Sequence, residues 1–252
     1  MAKNKNSKPK TIVIKNNSTQ KTYLKNLISF KDIKLTQSQQ ELCDKINNNE
    51  IIFAYGPAGS SKTFTTLFSC LKLISQEKYD KLLISKPLEE SGDKLGFLKG
   101  SIEMKVSPYS QSFYDNIGKI VSYESAQLFS EDNSEYVSFK PLSFMRGSSF
   151  DNTIMLLDEA QNADFRQLIL FISRIGSGTK GSKAILLSDV SQYDIKKDRV
   201  AITKFMEMIK DIKGVVIHEF KRSDIVRNKM LIEITDRYEK WLDEGKITLP
   251  KN

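Results

Sequence analysis

At 252 residues the chain has room for one large α/β domain with a tail, but not for two such domains and their linkers. Its 39% hydrophobic and 28% charged residues are those of a globular protein, and no apolar run approaches the roughly 20 residues that span a bilayer, so no membrane segment is expected. The formal charge of +8 favours polyanionic partners, above all nucleic acid.

Residues 1–30 carry Lys3, Lys5, Lys8, Lys10, Lys15, Lys21 and Lys25 among Asn and Ser, with no acidic residue before Asp32. A flexible basic arm is predicted there, with Thr11 to Ile14 as a short edge strand. Met1 to Lys10 lacks the apolar core of a secretory signal, which predicts a cytoplasmic protein. Residues 31–252 then read as a single domain. A helix opens near Leu35, with Thr36 as its N-cap and Leu42 and Ile46 on its apolar face. Cys43 and Cys70 both fall in predicted helices as small core residues, so neither a disulfide framework nor a cysteine metal site is expected.

The apolar run Ile51 to Tyr55 leads into Gly56, Pro57, Ala58, Gly59, Ser60, Ser61, Lys62 and Thr63, and then into an amphipathic stretch from Phe64 to Ser75. Strand, glycine-containing loop and helix in that order turn backbone N–H groups inward as an anion nest, at the positive end of the helix dipole. Triphosphate is the expected guest. In the P-loop pattern the lysine bridges the outer phosphates and the hydroxyl residue holds Mg²⁺, the roles of Lys62 and Thr63 here, with Gly56 to Phe64 forming the nucleotide-contacting stretch. One position departs from that pattern. Ser61 stands where a glycine is expected, and its side chain narrows the approach of backbone to phosphate.

Lys81 to Ser85 reads as a buried strand ending at Lys86-Pro87, followed by a loop from Leu88 to Leu98 rich in charge and glycine. A helical insertion is predicted over about 100–135, where Tyr109, Phe113, Tyr114, Ile117, Ile120 and Val121 recur at helical spacing and read as a core-facing stripe. Tyr136 to Phe139 resumes strand. The continuous apolar run Thr153 to Leu157 has the character of a central parallel strand and stops at Asp158-Glu159. Two carboxylates at the mouth of a buried strand call for a cation. Asp158 is expected to hold Mg²⁺ through water or Thr63, and Glu159 to orient or deprotonate the water that attacks the γ-phosphate.

A helix from Phe165 to Ile175 and a strand from Lys183 to Leu187 follow, after which Gln192 is placed to reach between the γ-phosphate and a second site, as a sensor. The strand Gly214 to His218 and a helix from about Ile225 to Gly245 close the chain. His218, the only histidine, reads as structural, and Trp241 is expected to pack on the core. Apolar strands near 51, 81, 153, 183 and 214, separated by helical segments, predict an α/β fold with a parallel sheet and active groups at the strands' carboxyl ends.

Taken together these motifs resemble the PhoH family of P-loop ATPases. The resemblance rests on Gly56 to Gly59 with Lys62-Thr63; Lys86-Pro87 with Gly92 to Gly100; and Lys105 with Pro108-Tyr109. Further along it rests on Phe144-Met145-Arg146-Gly147, Asp158-Glu159-Ala160-Gln161, Arg174-Ile175-Gly176, Asp189 with Gln192, and Asp224 to Arg227. It implies a P-loop NTPase fold, RecA-like and related to superfamily 1 helicases, with a parallel sheet flanked by helices. It also implies ATP and Mg²⁺ as cofactors and work on RNA or single-stranded nucleic acid. By the same resemblance Gln39 would read adenine and Arg227 would meet the γ-phosphate. Arg174 or Arg146 would serve a neighbouring subunit or nucleic acid, and a homo-oligomer such as a hexameric ring is expected because one RecA-like domain lacks a second to supply an arginine. The short single-domain form and lysine- and asparagine-rich composition resemble a bacteriophage member, working in the host cytoplasm. Besides Ser61, Lys86 replaces the family's arginine and Ser188 its glycine before Asp189. The competing expectations are an ATP-binding scaffold with little turnover, which Ser61 motivates, and a small-molecule kinase, for which residues 86–150 offer no acceptor pocket.

Overall fold

The protein is described here by a computed structural model covering residues 27–87, 102–130, 134–189, 201–226 and 229–247. The expected basic arm up to residue 26, the loop from Leu88 to Leu98, Gln192 and Arg227 lie outside the described residues.

Six strands form one parallel sheet: β1 (Ile51–Tyr55), β2 (Lys81–Ser85), β3 (Val137–Phe139), β4 (Thr153–Leu157), β5 (Lys183–Ser188) and β6 (Val215–Glu219). Their order across the sheet is β3-β2-β4-β5-β1-β6, and every pairing is parallel. Successive strand residues point to opposite faces. In β4, Ile154 and Leu156 join one hydrophobic cluster while Met155 and Leu157 join the other, and β5 divides Ile185 and Leu187 from Ala184 and Leu186 in the same way. Burial on both faces is why these strands read as unbroken apolar runs rather than alternating ones.

Helices cover both sides. On the first lie α1 (Gln37–Asn48), α2 (Lys62–Ser75) and α3 (Ile102–Ile120), contributing Leu42, Ile46, Leu67, Leu71, Phe113 and Ile117. On the second lie α5 (Phe165–Ile172) and α6 (Ala201–Ile209), contributing Leu168, Phe171, Ile202 and Phe205. Each fully buried side chain of this kind contributes about 2 kcal/mol, so the two clusters are the main term holding the sheet between its helices.

Local chemistry fixes the ends of α1. Thr36 caps it as expected, its hydroxyl accepting from Gln39 N while Gln39 Oε1 accepts from Thr36 N at 2.9 Å. At the other end the Lys183 ammonium, buried at the start of β5, donates to the carbonyls of Ile46 and Asn49. A cation at a helix carboxyl end is favourable, yet burial still pushes the Lys183 amine down to about 8.

The region of the expected insertion holds α3 and the short α4 (Tyr123–Gln127); of its stripe Phe113, Ile117, Ile120 and Val121 are buried and Tyr114 half-buried, whereas Tyr109 is exposed. The chain just ahead of α1 docks here, with Ile28 buried, Ser29 N donating to Ser125 Oγ at 2.8 Å and Phe30 edge-on to Phe68. Cys70 is buried and Cys43 half-buried, both as free thiols. His218 is buried against Phe220, with Ser38 Oγ and Lys45 Nζ each 3.3 Å from one ring nitrogen. Burial, reinforced by Lys45, pushes its imidazole down to about 4, as befits a structural histidine. No described helix is long and apolar enough to cross a membrane.

Two expectations are corrected. The helix predicted to run to Ile175 ends at Ile172, where Arg174 N and Ile175 N turn back to bond Phe171 and Ile172 carbonyls. Trp241 does not pack on the core: it is 51% exposed on the last helix, α7 (Lys229–Asp243), sharing an outward face with Ile234 and Tyr238. Periodicity identifies an apolar helix face but says nothing of what covers it.

Candidate active site

Parallel strands end together, and the ends of β1, β4 and β5 bring three loops side by side. The loop after β1 turns at Gly56, whose φ of +146° and contact with Phe220 leave no room for a side chain: a Cβ there would lie 2.4 Å from the Phe220 carbonyl oxygen. Gly59 also has positive φ. Ser61 is left-handed, with φ 62° and ψ 29°, and α2 begins at the next residue. The glycine expected at this position is therefore called for by backbone conformation as well as by space, and a non-glycine residue here stores strain.

Lys62 is 5% exposed and folds back along its own loop. Its Nζ donates to the carbonyls of Gly56 and Pro57, both at 2.9 Å, and to Ser60 Oγ at 3.2 Å, and it forms an ion pair with Asp189 Oδ1 at 2.5 Å. Thr63 Oγ1 lies 3.2 and 3.3 Å from the two oxygens of Asp158, at the end of β4. Burial, reinforced by the neighbouring Glu159 charge, pushes the Asp158 carboxyl up to about 6, with Lys86 and the Thr63 hydroxyl pulling the other way.

Glu159 follows in a left-handed conformation, φ 54° and ψ 41°. Its Oε2 accepts from Gln161 Nε2 at 2.6 Å, its Oε1 is 3.8 Å from Lys86 Nζ, and Gln161 Oε1 in turn accepts from Asp189 N at 3.0 Å. Gln161 thus ties the end of β4 to the end of β5. Lys62, Thr63, Asp158, Glu159 and Asp189 line a cleft of about 360 Å³ that includes Gly59, Ser61, Phe64, Asn116 and Val226.

The cleft holds three carboxylates, Asp158, Glu159 and Asp189, against the cation of Lys62, with Lys86 Nζ 3.8 Å from Glu159 Oε1. A polyphosphate could enter only with added positive charge. The Thr63 hydroxyl beside the Asp158 carboxylate is a hard-oxygen pair that fits Mg²⁺, which takes one or two protein ligands and completes its shell with phosphate and water. The buried hydroxyls of Ser85 and Ser188, at the ends of β2 and β5, have no hydrogen-bond partner among the described residues.

Of the residues expected from sequence, the fold brings Gly59, Ser61, Lys62, Thr63, Phe64, Asp158 and Glu159 to one cleft. Val226, whose N donates to the Gly59 carbonyl, carries the chain to the cleft just before Arg227. Gln39 does not line the cleft; it is buried and engaged in capping α1. Arg174 does not reach it either, its guanidinium bonding the Ser148 and Leu170 carbonyls and Ser173 Oγ. Sequence reasoning gave no role to Asn116, Gln161 or Asp189. Only the step from β5 into Asp189 carried a signal, since a polar residue at the end of an apolar run beside a P-loop points into such a cleft.

The sequence profile described as PhoH-like protein matches residues 32–239. A PhoH-like protein of Bacillus subtilis (strain 168) is 32% identical over 208 residues, covering 81% of this chain and 63% of that protein. Protein PhoH of Escherichia coli (strain K12) is 27% identical over 195 residues, covering 77% of this chain and 54% of the relative, so the chain spans between half and two thirds of the length of these proteins. Among solved structures, the large terminase from a thermophilic bacteriophage superposes with a TM-score of 0.50 at 10% identity, over 82% of this chain and 50% of that one, a likeness of fold alone. The sheet, the P-loop and the profile match agree: the fold is that of the RecA-like P-loop NTPases, and the chain belongs to the PhoH-like protein family.

Proposed function

We propose that this protein is a Mg²⁺-dependent ATPase whose turnover is coupled to RNA or single-stranded nucleic acid. The observation that carries this reading is the Thr63–Asp158 pair beside the P-loop with Glu159 next in chain. The P-loop amides and Lys62 take the phosphates, for which Lys62 exchanges Asp189 for the nucleotide. Thr63 and Asp158 hold Mg²⁺, which when bound neutralises phosphate charge. Glu159 accepts the proton of the water attacking the γ-phosphate. Gln192 and Arg227 complete the site as γ-phosphate sensors, and Gln39 contacts adenine.

A homo-oligomer, such as a hexameric ring, would let Arg174, whose guanidinium lies away from the cleft of its own chain, serve a neighbour or the nucleic acid. The basic N-terminal arm adds phosphate contacts. The composition supports a phage-encoded member working in a host cytoplasm, although the relatives compared above are bacterial.

The test is an ATPase assay with and without single-stranded RNA or DNA, on protein of measured oligomeric mass. The rate should rise with nucleic acid and fall by about a hundredfold or more in Lys62→Ala and Glu159→Gln. Absence of hydrolysis under every nucleic-acid condition would sink the reading. The strained Ser61 favours a second reading, an ATP-binding scaffold with little turnover, for which tight Mg·ATP binding without phosphate release is the expected result.

A further inference from the structure

Glu159 contacts two protein side chains. One carboxylate oxygen receives the Gln161 amide at 2.6 Å, and the other faces the Lys86 ammonium at 3.8 Å. Gln161 is fixed from behind by Asp189 N. Among the described residues Lys86 shows no such anchor at its head: its side chain is 27% exposed, its partner's 32%, and the contact is longer than a hydrogen bond. Such a pair is readily exchanged for another anion.

The backbone of Lys86 leads to a surface suited to supply that anion. Its carbonyl accepts from Leu142 N at 3.3 Å, the first residue of the 3₁₀ turn Leu142–Met145. That turn exposes Phe144, 42% open to solvent, and is followed by the exposed Arg146. Just behind it two more cations converge on one residue, Lys140 Nζ donating to Ser148 Oγ at 3.2 Å and Arg174 Nη1 to the Ser148 carbonyl at 3.3 Å. Among the described residues no carboxylate forms an ion pair with Lys140, Arg146 or Arg174. An exposed aromatic ring beside clustered cations is the chemistry that takes a single strand, whose bases stack and whose phosphates pair.

We propose that Lys86 is a positioning residue that restrains Glu159 until a single strand, laid on the Phe144–Arg146 turn, draws its ammonium onto a phosphate. Glu159 Oε1 is then free to align the attacking water. The inference rests on the ATPase reading above and assigns its nucleic-acid response to one contact. A lysine suits this role, because a flexible point charge is more easily moved than the forked bidentate group of an arginine.

The test is steady-state ATP hydrolysis by the full chain, with and without oligouridylate or oligothymidylate, comparing wild type, Lys86→Met, Lys86→Gln, Lys86→Arg and Phe144→Ala. Lys86→Met and Lys86→Gln should raise the strand-free kcat roughly tenfold with little change in KM for ATP, and the stimulation ratio should shrink toward one. Lys86→Arg, which keeps the charge, should keep the low basal rate. Phe144→Ala should weaken strand binding and shrink the stimulation ratio. If wild type hydrolyses ATP but neither neutral Lys86 variant exceeds its basal kcat, the restraint is overturned and the ATPase reading stands. A wild type inactive with both strands overturns the ATPase reading and the restraint with it.

Discussion

Asp158 shows at the scale of one residue how the fold prepares a group for a partner. Its carboxyl is raised to about 6 from 3.8 by burial first and by Glu159 second. A carboxyl that holds its proton more tightly when folded makes the folded state less stable above that value, and the cost disappears as pH falls from about 6 toward 4. Without nucleotide, Asp158→Asn should therefore melt at a higher temperature than wild type at neutral pH, the gap closing on acidification through that window. Mg²⁺ with ADP should reverse the order, since only the wild type keeps the charged ligand. A wild type already more stable than Asp158→Asn at neutral pH without nucleotide would contradict the burial argument. Lys62, Thr63, Asp158 and Glu159 could all be named from sequence because each sits within a few residues of a strand end that reads clearly. Gln161 and Asp189 acquired roles only when the ends of β4 and β5 were brought to hydrogen-bond distance.

Among the elements, the P-loop is where local preference and tertiary demand disagree. Ser61 holds a left-handed conformation that costs a non-glycine residue about 1–2 kcal/mol, while glycine carries an offsetting unfolded-state entropy of about 0.4–1 kcal/mol. Ser61→Gly should accordingly change folding stability by no more than about 1 kcal/mol, read by urea titration, while raising ATP turnover several-fold as the loop closes on phosphate without strain. Turnover unchanged by Ser61→Gly would move the limit on rate to another residue. The capping of α1 was legible as Thr36-x-x-Gln39, a short-range pattern. The same contact occupies Gln39 Oε1 at the start of α1, and Gln39 is not part of the cleft lining. The need for glycine at Gly56 was half legible, as part of a loop pattern; its tightest constraint comes from Phe220, more than 160 residues away.

For the whole molecule, α7 gives a direct reporter, because Trp241 is the single tryptophan and is 51% exposed. Its emission in the monomeric chain should be that of a solvent-facing indole and be quenched readily by acrylamide; a blue-shifted, protected signal from the monomer would place α7 against the core after all. Sequence alone determined the strands, their parallel sense and the cleft at their carboxyl ends, because burial on both faces leaves unbroken apolar runs and a P-loop fixes which strand comes first. It also separated Phe113, Ile117 and Ile120 of α3 as core, since helical period identifies a buried face, though not the exposed Tyr109. Only the tertiary structure decided the strand order, the partners of Lys62 and Glu159, and the exposure of Trp241. Those depend on contacts between segments distant in the chain or on what covers a face, and neither leaves a periodic trace in the chain.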